Sequence, residues 1–188
     1  MDFELEHLLM NLSEAQKKED KIKVEFIHKE ILKYQKTKEW IQNIVLPDYE
    51  LIVQKLISLL VDKDINLMLW KNSKISKSQR TFNEGKNIFA ICIKNICSDR
   101  REMLFDILHE FGHAMDIDTY SQEEIKSNIL KRQKREITAW LIADEEFIKI
   151  SDFKADFNAY ENYKWQCLES YGIFKKIYEV DSTITSKC

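Results

Sequence analysis

Glycine and proline, the residues that most often form turns and end helices, are scarce in this chain. Its 188 residues include three glycines and one proline, against averages of about 7% and 5%. A sandwich or barrel of many short strands needs many such turns. The scarcity therefore disfavours those folds and favours long helices, in a chain long enough for one domain with a buried core and an added helical arm.

Composition and charge exclude several classes of protein. Hydrophobic residues make up 44% and charged residues 32%, which is too apolar for a disordered chain and too charged for an integral membrane protein. The net charge of −3 gives no electrostatic basis for binding nucleic acid or an anionic membrane surface. We therefore expect neither a nucleic-acid partner nor a membrane association.

The N-terminus and the cysteines indicate a compartment. Three acids precede the first apolar run, unlike the basic start of a signal peptide, and no stretch reaches the roughly 18 to 20 uncharged apolar residues that span a bilayer. Four cysteines show no C-x-x-C spacing: Cys92, Cys97, Cys167 and Cys188. Such sparse cysteines are typical of reduced thiols in a cytoplasmic protein.

The chain divides into an N-terminal helical arm, residues 1–46, and a main domain, residues 47–188. The arm is balanced in charge, lacks glycine and proline, and carries leucines and isoleucines at helical spacing. This pattern predicts two amphipathic helices or one interrupted helix. The arm either packs on the body of the protein or binds a protein partner.

The main domain is predicted to be α+β and mostly helical. Pro47 suits the first turn of a helix, and Ile65–Trp70 is a short apolar run typical of a strand. Residues 80–82 and 87–93 flank Asn83-Glu84-Gly85-Lys86, a sequence that favours a hairpin turn. We expect a small antiparallel sheet of about three strands, followed after Ser98 by helices.

A metal-binding pattern lies in the first of those helices. Asp99 and Glu102 form a possible capping box at its start, followed by a core-facing stripe of Met103, Leu104, Ile107, Leu108, Phe111 and Met115. His109 and His113 are four residues apart, so their imidazoles project from one side of the helix. Together with Glu110 they form H-E-x-x-H, in which two histidines bind zinc and the glutamate is the general base.

A catalytic zinc site needs a third protein ligand. In the pattern H-E-x-x-H-x-x-G-x-x-H this ligand would stand at Thr119 and the glycine at Asp116, so that pattern is absent. A carboxylate from a second helix is the other solution, and Glu136 fits it because small Ala139 and Ala143 allow two helices to approach closely. Other acids remain as alternatives: Asp118, Glu123, Glu124, Asp144, Glu145 and Glu146.

These residues resemble the ImmA/IrrE family of zincin-like metallopeptidases. The match consists of the basic doublet Arg100-Arg101, the segment H-E-F-G-H from His109 to His113, and the helix containing Glu136 and Ala139. The resemblance spans about residues 51–150. It implies a zincin-like core, with the sheet packed on the H-E-x-x-H helix, and an intracellular, often mobile-element-encoded peptidase that cuts a regulatory protein.

We therefore expect a cytoplasmic zinc-dependent endopeptidase acting on a protein or peptide. Zn²⁺ would be held by His109, His113 and Glu136, with Glu110 as the catalytic base. The strand of residues 87–93 is expected to bind the substrate by β-addition if it edges the cleft. The alternative is a regulatory or binding protein of the same fold, in which the metal is structural or vestigial and the N-terminal helices bind a partner.

Supporting roles are expected for a few nearby side chains. Asp116, one turn after His113, could accept a ring N–H from that histidine, and Asp106, one turn before His109, has a weaker case. Tyr120 could donate a hydrogen bond to an oxyanion, although a partly buried core tyrosine is the plainer interpretation. The tail aromatics are expected to pack in the core.

Overall fold

The computed structural model describes residues 3–44, 47–83, 86–116 and 120–175. The chain separates into two compact units, Met1–Leu67 and Met68–Cys188. The predicted division at residue 46 differs from this grouping, because the helix after Pro47 belongs to the first unit. None of the described helices is long and apolar enough to cross a membrane.

The first unit consists of three helices: α1 (Phe3–Lys17), α2 (Lys21–Ile44) and, after a 3₁₀ turn at Pro47–Tyr49, α3 (Glu50–Asp62). The sequence left open two amphipathic N-terminal helices or one interrupted helix, and the structure has two separate helices. The break between α1 and α2 follows Glu19, which has a φ of 54°, and Asp20 then accepts a hydrogen bond from the Lys23 backbone N–H at 3.0 Å, as an N-cap does. Buried side chains of α2 and α3 form the core of this unit: Ile27, Trp40, Ile52, Val53, Leu56, Ile57 and Leu60.

Three strands, β1 (Ile65–Trp70), β2 (Lys77–Asn83) and β3 (Lys86–Lys94), form a sheet in the order β1-β3-β2. The predicted hairpin is confirmed, since β2 and β3 pair antiparallel with Lys77 opposite Cys92 and Asn83 opposite Lys86. Of its predicted turn, Glu84 and Gly85 lie outside the described residues. The sheet is mixed rather than wholly antiparallel as predicted. Residues 71–76 connect β1 to β2 and skip one strand position between them. β3 then fills that position, antiparallel to β2 and parallel to β1.

The second unit continues with helices on the sheet: α4 (Arg101–Met115), α5 (Gln122–Ser127), α6 (Ile129–Lys149), a 3₁₀ segment (Ser151–Asp156) and α7 (Phe157–Ser170). α4 contacts β2, β3, α6 and α7, and is therefore the central element of the unit. The predicted α+β, mostly helical class is confirmed at this level. Aromatic side chains fill the space between α4, α6 and α7: Phe105, Trp140, Phe147, Phe153 and Tyr160.

The start of α4 differs from the predicted capping box. Arg100 occupies the N-cap position without a side-chain cap. Asp99 accepts hydrogen bonds from both the backbone N–H and the guanidinium of Arg101, while Glu102 pairs with Lys94 at 3.0 Å. In place of the predicted box, each of the two acidic side chains has a cationic partner.

Candidate metal centre

α4 places two histidines and a glutamate at one wall of a cleft. His109 and His113 lie one turn apart, with ring centroids 4.5 Å from each other. The helix buries its opposite face through residues such as Leu104 and Leu108, neither of which is exposed to solvent. Because that face is held in the core, the histidine face is directed to the cleft.

α6 crosses α4 at the glycine of the H-E-F-G-H segment. A Cβ added to Gly112 would lie 2.1 Å from the carbonyl oxygen of Ala139 and 2.9 Å from its Cα. Ala139 and Ala143 are both fully buried, in accord with the small residues noted in the sequence. This backbone approach brings Glu136, one turn before Ala139, beside the histidines.

Three potential ligand atoms converge there. Glu136 Oε2 lies 3.3 Å from His109 Nε2 and 3.3 Å from His113 Nε2. The potential ligand atoms of the three residues all lie within 4.8 Å of one another. Tetrahedral zinc, with ligand distances of about 2.0 to 2.2 Å, sets its ligand atoms about 3.3 to 3.6 Å apart. The two measured contacts therefore match the spacing that zinc requires.

Hydrogen bonding in the described part of the chain leaves the same centre incomplete. Glu136 is 6% exposed, yet its Oε2 atom has no hydrogen-bond partner there, and neither does the Nδ1 atom of either histidine. A buried carboxylate oxygen without a hydrogen bond is costly. A cation bound between Glu136, His109 and His113 would satisfy it, so the residues fit a metal ion.

Electrostatics keep Glu136 ionised beside the two histidines. Burial by itself would raise the pKa of Glu136, but the two imidazoles beside it outweigh that effect and hold its pKa below the ordinary range. Burial by itself would lower the pKa of His109, but the carboxylates of Glu136 and Glu110 outweigh it and raise that pKa. Glu136 is thus held as a carboxylate, the form that binds a metal.

Trp140 packs against the first histidine from α6. Its ring stacks on His109 with centroids 4.3 Å apart and an interplanar angle of 25°. Trp140 is fully buried, so its own position is set by the core. The stacking limits rotation of the His109 ring and helps to keep its Nε2 atom directed at Glu136.

Glu110 lies beside the three residues but outside their group. It is 5% exposed, and it lines the same cleft as His109 and His113. Burial raises its pKa above that of an ordinary glutamate; Asp106 and Glu136 add to this rise, and the two histidines oppose it. A carboxylate whose pKa is raised is a stronger base, which suits a group that accepts a proton from water.

The cleft has a volume of about 830 Å³. One wall is the stretch from Ile75 to Arg80, which includes the first half of β2, and the other contains the metal centre on α4 and α6. β2 is an edge strand because β3 occupies the middle of the sheet. Residues 87–93 were expected to bind the substrate by β-addition if their strand edged the cleft. They belong to β3, which has a strand on each side, so β-addition has no free edge there, although Phe89 lines the cleft.

The alternative acidic ligands do not join the centre. Asp144 pairs with Lys164 at 3.1 Å and accepts a hydrogen bond from Tyr160. Glu124 forms the capping box of α5 with Ser121. Among the remaining alternatives, Glu123, Glu145 and Glu146 are absent from the group within the described chain, while Asp118 and Thr119 lie outside the described residues.

The predicted supporting residues have other positions. Asp106 accepts hydrogen bonds from Ser76 and Tyr163 and lies 3.5 Å from Lys94 Nζ, so it joins a buried network between the sheet and α7. Asp116 lines the cleft, but the Nδ1 atom of His113 has no hydrogen bond within the described chain. The expected contact from Asp116 is therefore not formed.

Two cleft residues, Tyr171 and Arg135, were not predicted as site residues. Gln133 Nε2 donates a 2.9 Å hydrogen bond to the Tyr171 carbonyl. Burial, with the nearby charges of Glu136 and Glu110, raises the pKa of Tyr171 to about 12. Arg135 directly precedes Glu136 on α6. Its position beside that ligand was a sequence signal for Arg135, whereas Tyr171 is distant along the chain and had none.

No protein-family model, no curated protein and no solved structure matches this chain. The interpretation of the site therefore depends on its own geometry.

Proposed function

We propose that this protein is a zinc-dependent endopeptidase with a zincin-like core. The observation that carries the proposal is the convergence of Glu136 Oε2 on two histidine Nε2 atoms, at 3.3 Å each, in an open cleft. Two histidines and one glutamate are a ligand set of catalytic zinc, whereas structural zinc has four protein ligands. Imidazole and carboxylate together also suit Zn²⁺ better than they suit Mg²⁺ or Ca²⁺.

The chemistry divides between the ion and the protein. Zinc bound to these residues would act as a Lewis acid, which polarises a carbonyl group and makes water easier to deprotonate. Glu110, buried beside the ligands and with a raised pKa, takes the proton from the attacking water and passes it to the leaving amine. Tyr171 remains protonated near neutral pH and donates a hydrogen bond to the oxygen on which negative charge develops.

β2 binds the substrate in this proposal. An edge strand has unpaired backbone N–H and C=O groups, which an extended peptide pairs with by β-addition. Lys77 to Arg80 of β2 line the cleft across from the metal centre. A peptide paired with them would lie in the cleft opposite the metal centre, with chain continuing on both sides of it, as an endopeptidase requires.

The proposed compartment is the cytoplasm. Cys92, Cys97 and Cys167 are free thiols, the state that reducing compartments maintain. An intracellular protein or peptide is therefore the proposed substrate.

Glu110→Gln tests the proposal. The variant should retain about one zinc per chain by metal analysis, because Glu110 is not a ligand, and should lose cleavage of a quenched fluorescent peptide library. His109→Ala should lose both metal and cleavage. If Glu110→Gln loses zinc as readily as His109→Ala, Glu110 is a ligand and the proposed mechanism is wrong.

A second candidate is a regulatory protein with the same metal centre. Exposed apolar side chains on the N-terminal helices favour it: Met10 is 66%, Ile22 85% and Phe26 62% exposed. Ile22 and Phe26 lie one turn apart on the same side of α2, and an exposed apolar surface that is contiguous is the kind that binds a partner. Under this alternative, zinc-loaded wild type and Glu110→Gln would have the same proteome-wide cleavage pattern.

A further inference from the structure

The cleft has an unusual charge for this chain. The protein as a whole carries −3, but three basic side chains, Lys77, Arg80 and Arg135, line the cleft. Apart from Glu110 and Glu136, Asp116 is the one acid among its described lining residues. The two positive charges of a bound zinc ion would offset those two glutamates. The net charge of the remaining lining is then positive, because three basic side chains stand against Asp116.

These three cations lack carboxylate partners among the residues that the structure describes. Lys77 Nζ lies 4.3 Å from the ring centroid of Trp70, and Arg80 Cζ lies 5.0 Å from that of Phe89. Cation–π contacts of this kind hold a side chain in place without neutralising its charge. Elsewhere in the same unit, the buried residues Lys94 and Lys164 pair with acids, whereas Lys77, Arg80 and Arg135 are less buried.

The positions of the cations match an extended ligand. Lys77 and Arg80 are three residues apart on β2, which is about 10 Å along a strand and sets their side chains on opposite faces of it. Arg135 stands on the opposite wall, next to the ligand Glu136. A single acidic group cannot reach all three, whereas a peptide strand paired with β2 passes near each of them.

We infer that the cleft selects a peptide segment rich in aspartate and glutamate, with Lys77, Arg80 and Arg135 as its specificity-determining residues. This inference depends on the proposed endopeptidase function for the alignment of the peptide with β2. Complementary charge raises the association rate and disfavours basic segments. Nucleic acid has the same charge sign, but an edge strand pairs with a peptide backbone and not with a sugar-phosphate chain.

The test measures binding separately from cleavage. Zinc-loaded Glu110→Gln protein is titrated, by fluorescence anisotropy, into two labelled peptides that repeat either Val-Glu-Glu or Val-Gln-Gln, so that acidic or neutral side chains project from both faces of a bound strand. We expect the glutamate peptide to bind about tenfold more tightly at low salt, with the difference shrinking as salt is raised. Equal affinity for the two peptides would overturn the inference.

Charge-reversal variants test whether Lys77 and Arg80 cause the preference for the acidic peptide. Lys77→Glu with Arg80→Glu, added to the Glu110→Gln background, should abolish the preference, and the milder Lys77→Gln with Arg80→Gln should reduce it. The matched control, Lys63→Glu with Lys154→Glu, makes the same change in charge at exposed residues outside the cleft lining and should keep the preference. Loss of preference in the control as well would assign it to net charge and overturn the inference.

Two further outcomes separate this inference from the proposed function. If the acidic peptide binds selectively but the wild type cleaves no peptide, acidic recognition stands and the peptidase function fails. If a single-stranded oligonucleotide of equal charge binds more tightly than the acidic peptide, the cleft is a nucleic-acid site and the inference is overturned.

Discussion

Glu136 is the residue on which the geometry of the centre depends most. It lies on a different helix from the two histidines, and its Oε2 atom is 3.3 Å from each of them. We expect Glu136→Ala to weaken zinc affinity at least about 100-fold, because a ligand is removed from a three-ligand set. Competition with a chromophoric chelator measures this. Asp144→Ala is the control and should leave affinity nearly unchanged, since Asp144 pairs with Lys164; the reverse ranking would remove Glu136 from the ligand set.

The hydroxyl group of Tyr171 is the part of this side chain that the proposal assigns to catalysis. Tyr171→Phe retains the ring, which faces the Arg132 guanidinium at 5.7 Å, and removes the donor. We expect kcat to fall about 100-fold, as when one oxyanion donor is lost, with zinc content unchanged.

Tyr120→Phe provides the comparison for this prediction. The Tyr120 hydroxyl accepts a bond from Lys134 at an exposed position, and its removal should change kcat by less than about twofold. A larger effect at Tyr120 than at Tyr171 would show that Tyr120, and not Tyr171, is the donor.

At the scale of elements, the contact between α4 and α6 determines whether the centre forms. An alanine inside a helix is ordinarily more stable than a glycine by about 1 kcal/mol. At Gly112 the added Cβ would overlap the Ala139 backbone, so we expect Gly112→Ala to reduce the free energy of unfolding by about 2 kcal/mol or more. Urea denaturation with a chelator present separates this packing effect from metal loss. A gain in stability would contradict the close approach.

At the scale of the whole molecule, zinc should stabilise the fold through the unit that contains α4 and α6. Free zinc at about 100 times its dissociation constant adds about 2.7 kcal/mol to the free energy of unfolding. We expect added zinc to raise Tm and to slow hydrogen exchange in α4 and α6, but not in α1 and α2. His109→Ala should abolish the rise, and His28→Ala, at an exposed position of α2, should retain it. Equal protection of α1 and α2 would contradict a centre confined to the second unit.

Several features of this protein could be predicted from residues that are close in sequence. Apolar spacing identified the helices, Ile65–Trp70 identified β1, and the interval between His109 and His113 placed two imidazoles on one side of a helix. Each of these features depends on the backbone geometry of a few consecutive residues. That geometry directs the side chains in the same way wherever the segment lies in the fold. Glu136 was favoured for a related reason, because small residues one and two turns later predicted a close helix contact.

The tertiary structure decided which residues lie opposite the histidines of α4. The order β1-β3-β2 made β2 the edge of the cleft, the approach of Ala139 to Gly112 brought Glu136 to the histidines and left Asp144 with Lys164, and the end of α7 placed Tyr171 in the wall. Spacing along the chain favoured Glu136 but left other acids open, and it indicated neither the edge strand nor Tyr171. These positions depend on how apolar faces from distant segments fill one core at close-packed density. The sequence determined the histidine pair and the proposed general base, Glu110; the packing of separate elements determined the proposed third ligand, Glu136, and the walls of the cleft.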